Sequence, residues 1–312
     1  MHSAINFGQT HSIMLKNSKV FTVLVAYNAI TQDLNHAIKE WLKETSFIVI
    51  CNNSKEDLIY HDLRIKVLNF GENLGIAKAQ SLGMAWAFAN NADFILQVDQ
   101  DSLPDPGMVK LLLESFLKLK IMGYNIGLIG SRAYDKFEKK PQGNKSNLAF
   151  FHKGKIVADL EGIDFVDSMI SSGSLIPKKA FQKNGAMLDE LFIDHVDLEY
   201  CWRLKANGFL IARNNKAMLA HRIGDGRLSF LGIFNVAVSA PIRQYYWVRN
   251  FLYLFNRNYV PMYWKLINFH KIIFRILFYP FFLNNGFERL KFMLLGLKDG
   301  FRGKMYRIDS IK

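Results

Sequence analysis

The chain has 312 residues, half of them hydrophobic, with 40 Lys and Arg against 27 Asp and Glu, a net charge of +13. It is long enough for one large domain, or one plus an appendage, and the charge points to an anionic partner: nucleic acid, a membrane surface or a phosphorylated substrate. Two cysteines, Cys51 and Cys201, in unrelated contexts give no disulfide framework and fit a reducing compartment.

Residues 1–19 contain no apolar run that could serve as a signal peptide and read as a leader. Val20 to Ala26 is a continuous apolar run, the pattern of a strand buried on both faces, ended by Tyr27-Asn28. Ile30 to Glu44 reads as a helix with Leu34, Ala37, Ile38, Trp41 and Leu42 on one stripe. Phe47 to Cys51 is a second strand, closed by Asn52-Asn53-Ser54, and Ile65 to Phe70 a third, closed by Gly71 to Gly75. Ile76 to Ala89, rich in Ala and Leu, is a helix, and Asp93 to Val98 a fourth strand. This alternation predicts an α/β fold with a mainly parallel, Rossmann-like sheet flanked by helices. Ligands on such sheets bind at the carboxyl ends of the strands. Tyr27, Asn28, Asn53, Asn73 and Asp99 to Asp101 all fall there; each alone is also what an ordinary polar turn would show.

The fourth strand ends on Val98-Asp99-Gln100-Asp101-Ser102. Two acids at the end of a buried strand are costly unless a cation sits with them. Mg²⁺ and Mn²⁺ take carboxylate oxygens and are commonly shared with a substrate's phosphates. Asp99 and Asp101 are therefore candidates to seat a divalent ion and a diphosphate. Pro106 to Lys120 reads as a helix and Ile126 to Gly130 as a short strand. Ser131 to Asp159 is polar, basic and irregular, with Lys136, Lys139, Lys140, Pro141, Gly143 and Lys145, and reads as a loop and hairpin.

A second cluster runs from Ser171 to His221. Ser172-Gly173-Ser174 looks like a small-residue floor where backbone approaches a ligand. A helix is expected from Val196 to Asn207-Gly208. Asp194 and Asp197, three apart, would share its first turn, where acids also stabilise the helix dipole. Glu199 and Arg203 are spaced to pair along the helix. His221 closes another strand-like run, Leu219-Ala220.

In combination these segments resemble the inverting family 2 glycosyltransferases of GT-A fold, and within them the dTDP-rhamnosyltransferase-like group. The likeness rests on Ala26-Tyr27-Asn28, Glu72 to Ala77, Val98 to Ser102, Ser172 to Ser174, Phe192 to Glu199, and His221-Arg222-Ile223-Gly224-Asp225, in that order over about residues 20 to 255. It implies a metal-dependent transferase. Asp99 and Asp101 fall on the DxD motif, with Asp101 the direct ligand of Mg²⁺ or Mn²⁺ and Asp99 nearer the ribose. His221 falls on the histidine that completes the metal shell, and Asp197 on the general base. Tyr27, Asn28, Asn53 and Asn73 fall at the nucleotide, and Ser172, Gly173, Asp194 and Arg249 at the sugar or acceptor, with Arg249-Asn250 resembling a recurrent pair. Many relatives close the second strand with an aspartate that binds the pyrimidine; Cys51 to Ser54 lacks it. The implied donor is dTDP-rhamnose, with a UDP-sugar as the alternative, and the implied acceptor a saccharide or lipid-linked saccharide of cell-surface polysaccharide synthesis, of the O-antigen or capsule kind. A UDP-hexose or galactofuranose transferase of the same fold is the runner-up.

Residues 20–244 thus read as the catalytic domain and 245–312 as a basic, aromatic, helical extension. The extension holds twelve Lys and Arg against three acids, so +9 of the +13 lies there. Its best apolar run is broken by Arg275 and Pro280 and falls short of the roughly 20 residues that span a bilayer. Aromatic and basic residues on amphipathic helices suit an anionic membrane surface. The same residues would serve as a packing face on the catalytic domain or a homodimer interface. The expected location is cytoplasmic, peripheral at the cytoplasmic face of the inner or plasma membrane. A nucleic-acid-binding protein would also explain the charge, but the basic residues are scattered among large apolar ones and no nucleic-acid motif is present, so no nucleic-acid partner is expected.

Overall fold

The computed structural model describes residues 17–135, 151–152, 155–156, 160, 162–221, 227–230, 234–237 and 239–308. In chain order its elements begin β1 (Val20–Ala26), α1 (Thr31–Glu44), β2 (Phe47–Asn52), β3 (Ile65–Asn69), α2 (Ile76–Ala89), β4 (Phe94–Asp99), β5 (Leu103–Pro104), α3 (Met108–Ile121) and β6 (Ile126–Asp135). They continue with the two-residue strands β7 (Phe151–His152) and β8 (Lys155–Ile156), then β9 (Ile163–Phe165), β10 (Ser174–Pro177), α4 (Lys178–Asn184), α5 (Val196–Ala206) and β11 (Leu210–His221). A hairpin of β12 (Arg227–Phe230) and β13 (Phe234–Ala237) precedes α6 (Pro241–Phe255), α7 (Met262–Phe282) and α8 (Gly286–Phe301). The chain divides into two compact units: Met1–Asn73 with Ala79–Ala186 and Leu204–Arg222, and Leu74–Lys78 with Met187–Arg203 and Ile223–Lys312.

The first unit is built on a mixed, mostly parallel sheet in the order β3-β2-β1-β4-β10-β6-β11-β5, with β9 also on β11. β3, β2, β1 and β4 run parallel, β10 runs antiparallel between β4 and β6, and β11 parallels β6. The chain moves outward from β1 to β2 and β3, then returns to place β4 on the other side of β1. That reversal opens a crevice at the carboxyl ends of β1 and β4, where such sheets bind ligands. The parallel strands are apolar on both faces because both are covered. Leu24, Ile48, Ile50, Leu96 and Val98 share one core with Leu34, Ile38 and Trp41 of α1 and Leu112 and Phe116 of α3. The opposite face meets α2, which comes so close at Gly83 that a Cβ there would lie 2.5 Å from the Cys51 sulfur and 2.6 Å from Val23.

Two element ends depart from expectation for visible reasons. α3 begins at Met108 rather than Pro106, because Gly107 takes a left-handed φ of +79°. The Glu44 carboxylate accepts the N–H groups of Gly107 (2.7 Å) and Val109 (3.1 Å), satisfying donors the helix start leaves open. β6 runs on through Ser131 to Asp135, since Ala133, Tyr134 and Asp135 pair with Leu219, Ala220 and His221 of β11. Lys136, Lys139, Lys140, Pro141, Gly143 and Lys145 lie outside the described residues.

In the second unit α6 and α8 pack closely; a Cβ at Gly296 would stand 2.5 Å from the Tyr245 carbonyl oxygen. Phe192 stacks on Tyr246 at 5.0 Å, and Trp264 of α7 meets Trp202 and Phe251. No helix among the described residues is long and apolar enough to cross a membrane.

A buried hydrogen bond helps tie the turn after β4 to α1. The Trp41 indole Nε1 donates to the Ser102 carbonyl at 3.0 Å. Trp41→Phe leaves that carbonyl without its partner, and we expect an unfolding free energy lower by about 1–3 kcal/mol in urea denaturation.

Candidate active site

At the crevice of the first unit, β4 ends on Asp99 and the chain turns through Gln100 and Asp101 into Ser102. Ser102 has no exposed surface. Its hydroxyl lies 2.9 Å from the Ser172 hydroxyl and 2.8 Å from His221 Nδ1. The Ser172 hydroxyl in turn accepts the Asp99 N–H at 3.2 Å. Asp99 Oδ2 is 3.8 Å from His221 Nδ1. Four residues from three distant segments thus meet at one rim. Asp101 is half-buried in the same turn, and among the described residues its carboxylate takes part in no hydrogen bond or ion pair.

Gln100, between the two acids, has a part that its sequence position alone does not suggest. Its Oε1 accepts the Tyr27 N–H at 2.7 Å and its Nε2 donates to the Tyr27 carbonyl at 3.3 Å. The amide clasps the end of β1 to the end of β4 and leaves the Tyr27 ring exposed. Asn28, at φ +46°, donates its N–H to the Ser54 hydroxyl at 2.9 Å. Asn53 is buried; its N–H donates to the Ala26 carbonyl at 2.7 Å and its Nδ2 to Asn73 Oδ1 at 3.0 Å. Tyr27, Asn28, Asn53 and Asn73 therefore do gather at one end of the crevice. Neighbouring Asn52 is spent on structure, donating to Asn69 Oδ1 and the Glu56 carbonyl. Burial pushes the Cys51 thiol up to about 12, so it is not a nucleophile.

Gly173 packs tightly against its neighbours in the sheet. Its φ is +81°, and a Cβ there would fall 2.1 Å from the Ser131 hydroxyl oxygen and 3.0 Å from Leu219. Its N–H donates to the Gln97 carbonyl and its carbonyl accepts the Ser131 N–H.

Carboxylate and imidazole donors suit Mg²⁺ or Mn²⁺. The Asp101 carboxylate and the His221 Nε2, left over once Ser102 holds Nδ1, are the groups here that could bind one. Among the described residues no three His, Cys, Asp or Glu side chains gather as a metal-binding group. An ion shared with a diphosphate needs few protein ligands, and these two groups fit one. Arg222 to Asp225 lie outside the described residues.

The second unit holds Asp194, Asp197 and Arg249. Phe192, Asp194 and His195 all have positive φ, near +62° to +66°, a conformation non-glycine residues adopt at a cost and that tends to mark functional segments. Buried polar groups enforce it. Asn250 Nδ2 donates to the carbonyls of Leu191, Ile193 and Asp194 at 2.7–2.9 Å. Arg249, with no exposed surface, donates to the carbonyls of Glu190, Leu191 and Tyr306 and lies over the Tyr245 and Tyr246 rings. It shapes the Asp194 loop from behind. Asp194 does not cap α5; its carboxylate takes Arg243 at 2.5 and 3.2 Å. Asp197, in the first turn of α5, accepts the Leu198 N–H at 2.9 Å. Gly75 is explained here too: a Cβ at its φ of +82° would stand 2.5 Å from the Phe192 ring. Glu199 and Arg203 pair as their spacing predicts, at 2.7 Å, and the Tyr259 hydroxyl adds 2.8 Å to the buried carboxylate. His195 is buried against Trp247 and Trp264, and burial, opposed by Asp194, lowers its imidazole to about 4.

No protein-family model matches the chain. It is 29% identical over 296 residues to the dTDP-rhamnosyl transferase RfbF of Shigella flexneri, across 92% of this chain and 97% of that one. Among solved structures it resembles GalNAc-T7, determined with UDP, GalNAc and Mn²⁺, at a TM-score of 0.50 and 13% identity over 65% of this chain. The match spans 43% of the GalNAc-T7 chain, and the likeness is one of fold. TarS of S. aureus, in complex with UDP-GlcNAc, aligns at a TM-score of 0.47 and 12% identity, over 77% of this chain and 67% of that one.

Two outcomes follow from this geometry. Gly71 and Gly173 are both left-handed, but nothing stands within 4 Å of a Cβ at Gly71. Gly71→Ala should cost about 1–2 kcal/mol from backbone strain, and Gly173→Ala clearly more, because Ser131 must also move; thermal unfolding of the pair measures the difference. The His195 imidazole is lower in the folded chain (about 4) than unfolded (about 6.5). Stability is therefore fully present above pH 6.5 and falls as the pH drops from there, by about 3 kcal/mol at pH 4. His195→Asn, which tolerates the left-handed backbone, should flatten that acid-side slope.

Proposed function

We propose that this chain, a glycosyltransferase of GT-A fold similar to a dTDP-rhamnosyl transferase, moves rhamnose from dTDP-rhamnose to a saccharide or lipid-linked saccharide acceptor with inversion at the anomeric carbon. The observation that carries the reading is the Asp101 carboxylate, left without a protein partner among the described residues, beside the Asp99–His221 pair at the reversal point of the sheet. The end-to-end likeness to RfbF supports it. The setting is cell-surface polysaccharide synthesis, at the cytoplasmic face of the inner or plasma membrane.

In this reading Tyr27, Asn28, Asn53 and Asn73 receive the nucleoside, with Asp99 toward the ribose. Asp101 and His221 would hold Mg²⁺ or Mn²⁺, which when bound offsets the charge gathering on the departing diphosphate. The acceptor hydroxyl is a poor nucleophile and needs a base within hydrogen-bond reach. Asp197 takes that proton as the hydroxyl attacks the anomeric carbon opposite the leaving group. Ser172, Gly173 and Asp194 border the sugar or acceptor, and Arg249 keeps the Asp194 loop in its left-handed course. Ser102 holds His221 through Nδ1 and so presents Nε2.

A second reading has support from one place. Neutral Asn52 and Asn53 stand where many relatives carry a base-binding aspartate, so a UDP-hexose or galactofuranose donor is the alternative. Thermal shifts with dTDP-rhamnose and a panel of UDP-sugars, each with Mg²⁺ or Mn²⁺, separate the two; the largest shift is expected with dTDP-rhamnose.

Asp197→Asn should leave donor affinity intact and lower turnover by about 10²–10⁴-fold, read by nucleotide release; undiminished turnover removes Asp197 from this role. Asp101→Ala should abolish the part of donor binding that depends on Mn²⁺ in calorimetry, and Ser102→Ala should weaken it about 10–100-fold by freeing the His221 ring.

A further inference from the structure

Helix α7, Met262–Phe282, is amphipathic the wrong way round. Its inward side carries Lys265, Asn268 and Arg275 along with Trp264 and Ile272. Lys265 Nζ donates to the Arg257 carbonyl at 2.9 Å, and the Arg275 guanidinium lies 3.9 Å over the Trp247 ring and 3.2 Å from Gln244 Oε1. Its outward side is mostly apolar, interrupted near the middle by exposed His270 and Lys271. Leu266, Ile267, Phe274, Leu277, Phe278 and Phe281 are all exposed, Leu277 at 59% and Phe281 at 73%. Phe274, Leu277, Phe278 and Phe281 recur every three or four residues, and Leu266 and Ile267 lie on the same side beyond His270 and Lys271 of a helix about 31 Å long. Phe274 and Phe278 stack at 4.4 Å along it. A cluster of large apolar side chains of this size turned to water marks an interaction surface.

Charge and geometry select its partner. The inward Lys265 and Arg275 are incompatible with lipid on all sides, and no described helix qualifies as a span. A second copy would bring together two surfaces that each expose Lys271, Lys291, Lys298, Arg302 and Lys304. An anionic lipid surface complements both features. It offers an acyl boundary to the stripe and negative headgroups to the exposed Lys271, Lys291, Lys298, Arg302 and Lys304.

We propose that α7 lies in the plane of an anionic bilayer, with its Leu266-to-Phe281 stripe sunk into the headgroup–acyl boundary. The inference rests on the peripheral membrane placement proposed above and names the element that makes it. The basic residues supply attraction and the stripe supplies depth, so binding should need both anionic lipid and the outward aromatic rings.

The test uses the full chain and vesicles of phosphatidylcholine with or without phosphatidylglycerol, read by flotation. The expected result is flotation with the phosphatidylglycerol vesicles only. The triple variant Leu277→Gln/Phe278→Gln/Phe281→Gln should bind them about tenfold or more weakly. As exposed positions, they should leave the melting temperature and the thermal shift by dTDP with Mn²⁺ unchanged. A triple variant that floats as well as the parent overturns the role of α7 even if the parent binds vesicles. Failure of the parent to bind, or a dimer in sedimentation that the triple variant dissolves, overturns the lipid partner. The dTDP shift reports on the transferase reading separately, so loss of that shift in the parent would count against catalysis and not against α7.

Discussion

The Ser102 hydroxyl, fully enclosed, is the joint on which the rim depends. It touches Ser172 on one side and the imidazole of His221 on the other, while its backbone carbonyl is held by Trp41. β4, the segment before β10 and the end of β11 are separate stretches of chain, each placed by its own ladder in the sheet. Sheet pairing alone positions backbones to within the play of a turn. The buried hydroxyl chain converts that placement into a fixed orientation for Asp99 and His221, because a polar group this deep must keep its partners. Asp101 is the exception in the same turn: its carboxylate has no partner among the described residues, and on that the proposed binding role rests.

The second unit solves a different problem by similar means. Three positive-φ residues in four cost about 1–3 kcal/mol each if left to themselves. Arg249 and Asn250 absorb that cost by taking up the carbonyls of Glu190, Leu191, Ile193 and Asp194, which the irregular backbone cannot pair with itself. Arg243 then fixes the Asp194 carboxylate. Adjacent residues on α6 thus serve a loop 56 to 59 positions earlier in the chain.

Much of this was legible in the residues. Continuous apolar runs gave the positions of β1, β2 and β4 because strands buried on both faces have no polar phase to lose, and the i,i+4 spacing of Glu199 and Arg203 foretold their ion pair. What was not legible depends on distant chain. β6 continues past Gly130 because β11 is there to pair with it, although Ser131 and Arg132 are polar. Ser102 looked like a strand stop, and its role needs Trp41, Ser172 and His221, up to 119 positions away. Gly75 read as part of a motif; its reason, the Phe192 ring, is a tertiary contact. Arg249 read as an acceptor residue, and only its burial shows that its donors face inward.

The charge distribution closes the physical account. Of the net +13, +9 belongs to residues 245–312, so the chain that forms the sheet carries little surplus of its own. At its rim two acids stand within one turn, and an arriving diphosphate would meet like charge at close range, where salt screens least. Such a pairing is favourable only when a divalent cation comes with the diphosphate and reverses the local sign. An acidic rim on a basic protein is therefore not a contradiction: in the proposed transferase the acids would select an anion that carries a metal, and the positive surplus would remain for a separate anionic surface.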